Sequence, residues 1–266
     1  MTLPRVPFDD RGLAYGDGVF ETVLLRKGEP VLWPYHLARL KRGCQRLGIP
    51  IPSQEALAAT WGGGASATLE VLKLIVTRGS GGRGYALPET PAPRLLSRRT
   101  PFAPETARWQ EGVTVRQCRL RLGHQPVLAG IKHLNRLENV LARQEWQTPN
   151  IAEGLLADAH GQLIEATSMN VFWQQQGCVF TPRLDKCGVA GTLRAALISQ
   201  GVVREADVSL EATPSVERLW VANSVQGVWP VTALLSEDGV CLKRWPQNAS
   251  DRFQTVAHQL LGYVSQ

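Results

Sequence analysis

The stretch YGDGVFETVLLRKGEPVLWPYHLARLKRGCQRLGI, residues 15–49, decides the fold of the first part of the chain. Its first half has the pattern of two strands joined by a glycine-containing turn at Lys27–Glu29. Its second half is typical of a helix, because Pro34 is tolerated in a first helical turn and Gly48 follows as a stop. The apolar residues that share one face of this predicted helix are Leu37, Leu40, Cys44 and Leu47.

A third strand and an unusual loop follow. Residues 69–77, LEVLKLIVT, form a predicted strand that runs into the glycine-rich loop RGSGGRGY at residues 78–85. Prolines recur from residue 88 to residue 104 and disfavour regular structure, although RLLSRRT within this segment can still form a strand. We therefore predict two domains, an N-terminal α/β domain at 1–105 and a C-terminal domain at 111–266.

The second part of the chain is predicted to be mostly β. VTVRQCRLRL, residues 113–122, is a strand, and LNRLENVLARQEW, residues 134–146, is a helix. Residues 154–182 give strand, turn, strand, turn, strand, with a glycine at each turn. A helix starts after two glycines within residues 188–201, and late strands surround a polar kink at residues 218–231.

The composition is that of an ordinary soluble globular protein. The 266 residues are 44% apolar and 20% charged, which suits one large domain or two modest ones. No apolar run approaches the ~18–20 residues of a membrane span. The first residues lack the apolar region of a secretory signal. We therefore expect a cytoplasmic protein without a membrane partner.

Charge and ligand spacing disfavour two kinds of site. The net charge is +6, but the basic residues form neither a single run nor an aromatic-interleaved patch, which argues against nucleic-acid binding. An anionic small molecule explains a positive site equally well. The five cysteines and five histidines are scattered without C-x-x-C or H-x-x-x-H spacing, so we expect reduced thiols and no bound metal.

Lys132 lies in GIKHLNRLENV, residues 130–140, between an apolar stretch and a predicted helix. A catalytic amine needs desolvation or a nearby cation to be neutral at working pH. Gly130 and Ile131 can place Lys132 at a strand end that faces inward. For this segment alone, a solvated surface lysine is the alternative, so the residue needs partners elsewhere.

Glu165, in QLIEATSMNVFW, is the first candidate partner. Alternation places Leu163, Glu165 and Thr167 on one strand face, which puts the carboxylate beside apolar neighbours. A buried carboxylate is costly unless it is paired, and a protonated pyridine nitrogen would be such a pair. An exposed glutamate on an edge strand is the alternative.

Anion sites are also indicated. In GVAGTLR, residues 188–194, glycines precede a helix start whose N–H groups can bind phosphate, and Thr192 can add a hydroxyl or act as a plain helix cap. Arg39 can add a bidentate phosphate contact, with a surface arginine as the alternative. Arg78 and Arg83, on the glycine-rich loop, suit carboxylate binding, with solvation at a hairpin tip as the alternative.

A lysine for a Schiff base, a carboxylate for a pyridinium and a helix start for a phosphate together indicate pyridoxal 5′-phosphate. The same blocks resemble the fold-type IV pyridoxal-phosphate enzymes, which include branched-chain aminotransferases, D-amino-acid aminotransferases and 4-amino-4-deoxychorismate lyases. YGDGVFET and HLARL are shared across these enzymes, whereas GIKHLNRLE and TRGSGGRGY are most similar to the lyases. The likeness spans roughly residues 9–231.

The resemblance implies a role for each candidate residue. Lys132 becomes the Schiff-base lysine and general acid/base, and Glu165 becomes the partner of the pyridine nitrogen. The implied phosphate site consists of Arg39, the Gly191–Thr192 turn and Ser224. The implied substrate-carboxylate residues are Arg83 and Arg78.

The implied fold is α+β or α/β, with a small α/β N-terminal domain and a larger β-rich pseudobarrel that carries the lysine, assembled as a homodimer. The implied activity is a lyase that converts 4-amino-4-deoxychorismate to 4-aminobenzoate and pyruvate in folate biosynthesis. The alternative is an aminotransferase that acts on branched-chain or D-amino acids. Asn135 and Arg136 stand where the aminotransferases often have a tyrosine, which favours the lyase.

Overall fold

The computed structural model describes residues 5–62, 68–246 and 251–263. By its contacts the chain divides into two compact units, Met1–Ala103 with Ile131–Arg136, and Pro104–Gly130 with Leu137–Gln266. The segment around Lys132 therefore groups with the first unit, whereas the domain prediction places it in the second domain. The domain limits themselves stay a prediction. None of the helices in the described ranges is long and apolar enough to cross a membrane.

The first unit combines short helices with an antiparallel sheet. In its described part the elements are, in chain order, α1 (Arg11–Tyr15), β1 (Gly18–Arg26), β2 (Glu29–Pro30), α2 (Trp33–Leu47), α3 (Gln54–Ala58), β3 (Glu70–Thr77) and β4 (Arg94–Pro101). The four-stranded sheet has the order β2–β1–β3–β4. This arrangement confirms the predicted strand–turn–strand–helix start of the chain.

The β1–β2 turn and α2 form for the reasons that the sequence indicates. Lys27 and Gly28 both have positive φ, 52° and 82°, as a tight hairpin turn requires. Helix α2 ends at Gly48, which adopts a left-handed conformation and caps the carbonyls of the last turn with its backbone N–H. Leu40 and Cys44, on the predicted apolar face, are buried in one core with residues of β1 and β3.

The second unit is dominated by a larger sheet. In its described part the elements are α4 (Thr106–Glu111), β5 (Val113–Leu122), α5 (Leu137–Arg143), β6 (Ile151–Asp158), β7 (Leu163–Ala166), β8 (Asn170–Gln175), β9 (Cys178–Thr181), α6 (Thr192–Ser199), β10 (Arg204–Glu205), a 3₁₀ helix (Thr213–Ser215), β11 (Arg218–Asn223), β12 (Gly227–Leu235), β13 (Cys241–Arg244) and α7 (Arg252–Leu260). The sheet order is β10–β9–β8–β11–β12–β5–β6–β7, with β13 on β12. Since β5 runs parallel to both β6 and β12 and most other pairs are antiparallel, the sheet is mixed. The predicted fold class is confirmed.

One predicted strand is divided in the structure. The pattern of residues 154–182 predicts a single strand between its two turns, but a bend at residues 167–169 separates β7 from β8. Glu153, a buried side chain of β6, accepts hydrogen bonds from Thr167 Oγ1 and Ser168 Oγ in that bend. Burial raises the pKa of Glu153, and these hydrogen bonds oppose the rise. A buried acceptor on a neighbouring strand therefore fixes the break.

Candidate active site

Lys132 begins a short segment that pairs with β1. The Lys132 carbonyl accepts a hydrogen bond from Phe20 N at 2.9 Å, and Leu134 N donates to Gly18 O at 3.0 Å. In this antiparallel register Lys132 lies opposite Phe20, and Lys132 Nζ is 4.5 Å from the centroid of the Phe20 ring. The backbone pairing thus fixes the predicted Schiff-base lysine beside an aromatic face.

Lys73 is a second amine at the same ring, and the sequence analysis missed it. Lys73 lies in β3 opposite Thr22, and its Nζ is 3.7 Å from the centroid of the Phe20 ring. Burial lowers the pKa of Lys73, while Glu21 opposes that shift. The sequence signal that could have identified it is one lysine inside the apolar strand LEVLKLIVT.

Arg39, a predicted phosphate ligand, is bound to a buried carboxylate. Arg39 Nε donates to Glu21 Oε1 at 2.8 Å and Arg39 Nη2 donates to Glu21 Oε2 at 2.5 Å, while His36 Nδ1 lies 2.7 Å from Oε2. Burial would raise the pKa of Glu21, but Arg39 and His36 bring it down to about 2. Burial lowers the pKa of His36, the Glu21 carboxylate opposes this shift, and the charges of Arg39 and Lys132 add to it. The phosphate role of Arg39 stays a prediction.

The two predicted substrate arginines have different surroundings. Arg78 is buried, donates to both carboxylate oxygens of Asp17 at 2.7 and 3.0 Å, and also donates to two carbonyls at the end of α2. Arg83 is exposed on the glycine-rich loop. The Arg78 guanidinium therefore already binds several groups within the protein. The substrate roles of both residues stay predictions.

Arg11, which the sequence analysis missed, holds the loop that carries Arg83. Its Nη1 donates to Gly84 O and Ala86 O, each at 3.1 Å, and its Nε donates to Asp17 Oδ2 at 3.0 Å. Burial would raise the pKa of Asp17, but hydrogen bonds from Arg78 and Arg11 lower it overall. Since Arg11 satisfies several loop carbonyls at once, this buried side chain helps to fix the loop conformation.

Glu165 is a buried residue of β7 with specific donors. Val189 N donates to Glu165 Oε2 at 2.8 Å and Asn139 Nδ2 donates to Glu165 Oε1 at 3.2 Å. The neighbouring Gly188 has φ 80°, and a Cβ there would lie 2.7 Å from Ile164 Cγ2, so this position requires glycine. The structure therefore brings Glu165 together with the start of the GVAGTLR block. Asn139 is not among the residues predicted from the sequence.

Helix α6 begins directly after this loop. Gly191 is its N-cap residue and makes no side-chain cap hydrogen bond. A Cβ at Gly191 would lie 1.9 Å from Asn170 Oδ1, so no larger residue fits without movement. Thr192, the first helical residue, is buried. Backbone N–H groups at such a helix start form an anion-binding arrangement, and the helix dipole favours negative charge there.

Ser224 lies in the turn that joins β11 to β12 and is also buried. Asn223 Oδ1 shapes this turn by accepting hydrogen bonds from Val225 N at 2.9 Å and Gln226 N at 2.7 Å. The shared phosphate role of Ser224 and Thr192 stays a prediction.

The residues present fit the predicted cofactor chemically. The second unit offers a buried carboxylate with two N–H donors for a pyridinium, and a glycine-led helix start, closed to any Cβ, for a phosphate. The first unit offers a lysine amine beside an aromatic ring, and an arginine held by a carboxylate. This donor set has no group of three or more His, Cys, Asp or Glu placed for a metal, as far as the described ranges extend.

The sequence model of the family described as amino-transferase class IV matches residues 18–234. The chain belongs to the class IV aminotransferase family. The matched region includes every residue predicted for the site, from Arg39 to Ser224. Membership of this family says nothing by itself about which reaction the chain performs, because similar relatives carry names of more than one activity.

Two similar relatives of this class IV family member are named as lyases. The aminodeoxychorismate lyase of Vibrio harveyi is 36% identical over 240 residues, which cover 86% of this chain and 88% of that protein. The crystal structure of 4-amino-4-deoxychorismate lyase from Pseudomonas aeruginosa has a TM-score of 0.85 and 41% identity, covering 97% of this chain and 95% of that chain. The D-alanine aminotransferase of Listeria innocua is 27% identical over 248 residues, which cover 88% of this chain and 83% of that protein.

Proposed function

We propose that the chain is a pyridoxal 5′-phosphate-dependent aminodeoxychorismate lyase that converts 4-amino-4-deoxychorismate to 4-aminobenzoate and pyruvate in folate biosynthesis. The likeness to the Pseudomonas aeruginosa lyase over nearly the whole of both chains carries this proposal. The lyase-like block GIKHLNRLE and the fixed position of Lys132 support it.

The predicted site residues would hold the cofactor, each with the local surroundings described above. Glu165, already fixed by two N–H donors, would hold the protonated pyridine nitrogen. The Gly191–Thr192 helix start and Ser224 would bind the phosphate, and Arg39 would add a fixed positive charge. When bound, pyridoxal 5′-phosphate supplies an aldehyde that captures the substrate amine and a ring that withdraws electron density.

Lys132 would move the proton in the reaction. As a neutral amine, its Nζ takes the proton from the amine-bearing carbon of the substrate. The bond between the ring carbon and the enolpyruvyl oxygen then breaks, and the departing enolpyruvate takes up one proton to become pyruvate. The ring becomes aromatic, which supplies much of the driving force. The side chains therefore have to position the substrate and move one proton.

The wild-type protein tests the proposal directly. Incubation with 4-amino-4-deoxychorismate is expected to release 4-aminobenzoate, measured by fluorescence after chromatography, and an equal amount of pyruvate, measured with lactate dehydrogenase. An aminotransferase would instead convert D-alanine or a branched-chain amino acid to its oxo-acid and leave pyridoxamine phosphate on the protein. That half-reaction without lyase activity would reverse the proposal in favour of an aminotransferase.

The proposal includes a cytoplasmic homodimer whose ligand is a small anionic molecule, with neither nucleic acid nor membrane as partner. The resemblance to the fold-type IV enzymes supports the homodimer, and the dispersed basic residues argue against nucleic acid. The resemblance also implies that loops of the second subunit complete the active site, which requires a dimer.

Lys73→Met is expected to raise the KM for 4-amino-4-deoxychorismate by at least about tenfold with a smaller change in kcat, because a lost charge-assisted contact is worth roughly 1.5–3 kcal/mol. Lys73 Nζ shares the Phe20 ring with Lys132 Nζ, so we propose that it attracts a carboxylate of the substrate. Steady-state kinetics measure the effect. Lys27→Met, at the exposed β1–β2 turn, is the matched control. An unchanged KM in Lys73→Met would contradict the proposed role of Lys73 in binding a substrate carboxylate.

Asn139→Leu is expected to lower kcat roughly tenfold, because Glu165 Oε1 loses a donor that fixes the carboxylate. Asn139 Nδ2 also donates to Thr167 O at 3.2 Å, so it ties Glu165 to the bend that follows β7. Steady-state kinetics on cofactor-saturated protein measure the loss. Asn150→Leu, at an exposed asparagine just before β6, should leave kcat unchanged. Equal kcat values in the two variants would contradict the role of Asn139.

A further inference from the structure

The turn between β11 and β12 is fastened by three aromatic side chains. Trp109 Nε1 donates to Gln226 O at 2.6 Å, and Val228 N donates to His258 Nε2 at 3.0 Å. The Tyr263 hydroxyl donates to Val225 O. These aromatic side chains come from α4, from α7 and from just after α7. They bind the backbone of Val225, Gln226 and Val228, which follow Ser224 in the chain. We call Trp109, His258 and Tyr263 the C-terminal clamp.

The clamp is itself a packed unit. The centroids of the Trp109 and His258 rings are 4.5 Å apart, and those of Trp109 and Tyr263 are 4.7 Å apart. Gln254 Nε2 links the two sides by donating to Trp109 O at 2.9 Å and to Val228 O at 3.0 Å. Because the rings contact one another, loss of one side chain would loosen the other two.

The turn also fits the clamp closely. Gly227 has φ 78°, and a Cβ at this residue would lie 2.6 Å from His258 Nε2. His258 is buried and neutral, since burial lowers its pKa to about 4, so Nε2 is available to accept the Val228 N–H at physiological pH. In the observed position of the turn, the Val225 and Gln226 carbonyls and the Val228 amide all have hydrogen-bond partners in the clamp.

We infer that the C-terminal clamp positions the Ser224 turn for the cofactor phosphate. The inference rests on the proposed function, because it takes Ser224 as a phosphate ligand. The clamp residues are positioning residues: they act through the Val225–Val228 backbone. The last described segment of the chain, 251–263, would then be required for phosphate recognition as well as for the fold of the second unit.

The test compares the affinity of the protein for pyridoxal 5′-phosphate with its affinity for pyridoxal, which lacks the phosphate. Both dissociation constants are measured by equilibrium dialysis on the apoprotein. Tyr263→Phe and Trp109→Phe each remove one hydrogen bond and keep an aromatic ring, and His258→Leu removes the acceptor. Each change is expected to weaken pyridoxal 5′-phosphate binding roughly three- to tenfold and to leave pyridoxal binding nearly unchanged.

Matched controls separate positioning from general destabilisation. Trp245→Phe removes an equivalent indole hydrogen bond, from Trp245 Nε1 to Val216 O at 3.0 Å, and should not change the ratio of the two affinities. His258→Gln, which returns an acceptor, should restore most of the ratio that His258→Leu loses. Thermal unfolding of every variant shows whether it is folded.

The outcomes for this inference and for the proposed function differ. If the wild type prefers pyridoxal 5′-phosphate and the clamp variants keep that preference, or weaken both ligands equally, the inference is wrong and the proposed function stands. If the wild type binds neither ligand, the proposed function fails and the inference fails with it. A preference that falls only in the clamp variants supports both.

Discussion

Lys132→Ala is expected to lower the rate of 4-aminobenzoate and pyruvate release by more than about a hundredfold, because it removes the amine that we propose moves the proton. The substitution should leave the fold intact, since Lys132 pairs with β1 through its carbonyl, which accepts from Phe20 N. The rate is measured in single turnovers with cofactor in excess, so that weaker cofactor binding does not conceal the chemical step.

Two amines lie beside the Phe20 ring, so the experiment must also identify which one reacts. Borohydride reduction of the wild type with bound cofactor, followed by peptide mass spectrometry, is expected to place the phosphopyridoxyl label on Lys132. A label on Lys73, or a Lys132→Ala variant that keeps at least half of the wild-type rate, would contradict the assignment. Lys27→Ala is the control for loss of a lysine far from that ring.

Local signals predicted much of the fold. The i, i+3, i+4 pattern of α2 and its Gly48 stop correspond to a helix with a buried apolar face, and the Lys27–Gly28 turn joins β1 to β2. The predicted helix at residues 134–146 is shorter in the structure, where α5 covers only Leu137–Arg143. Helix ends depend on capping and tertiary packing, which propensity along a single segment does not specify.

Alternation failed where both faces of a strand are buried. Every residue of β7 is buried, so the period-two pattern of Leu163 and Glu165 could identify a strand but not its end. The break after Ala166 depends on Glu153 of the preceding strand, which binds the hydroxyls of the bend. Such a partner is specified by the fold and has no signal at the break itself.

The partners of the candidate site residues were beyond sequence reasoning for the same reason. Glu21 binds Arg39 across 18 residues, Asn139 binds Glu165 across 26, and Arg11 binds the glycine-rich loop across 73. Each is an ordinary polar residue within its own segment. Lys132, Glu165 and Gly191 could be nominated because their residue types match a cofactor, whereas residues that only hold another side chain match nothing outside the protein.

Glu21→Gln is expected to lower the free energy of unfolding by about 3 kcal/mol, because it leaves Arg39 buried without the carboxylate that binds two of its donors. The pKa of Glu21 is about 2, below its ordinary value of 4.5. The ionised carboxylate therefore stabilises the fold fully above about pH 4.5, and this contribution is lost as the pH falls towards 2. Urea unfolding measured from pH 7 to pH 3 should show that the free energy of unfolding falls less in Glu21→Gln than in the wild type.

Glu70→Gln is the matched control, because Glu70 also pairs with an arginine, Arg99, at 2.5 Å. This pair is more exposed: the Glu70 side chain is 16% exposed and the Arg99 side chain 25%. The free energy of unfolding of Glu70→Gln is expected to fall by less than about 1 kcal/mol. An equal fall in both glutamine variants would contradict the larger expected effect of breaking the buried pair. The double variant Glu21→Leu/Arg39→Met removes both charges, so it should be more stable than Glu21→Gln. That variant also separates the two roles of Arg39. Recovered stability with weakened pyridoxal 5′-phosphate binding would mean that Arg39 is retained for the phosphate, whereas recovered stability with unchanged binding would leave it as a partner of Glu21 alone.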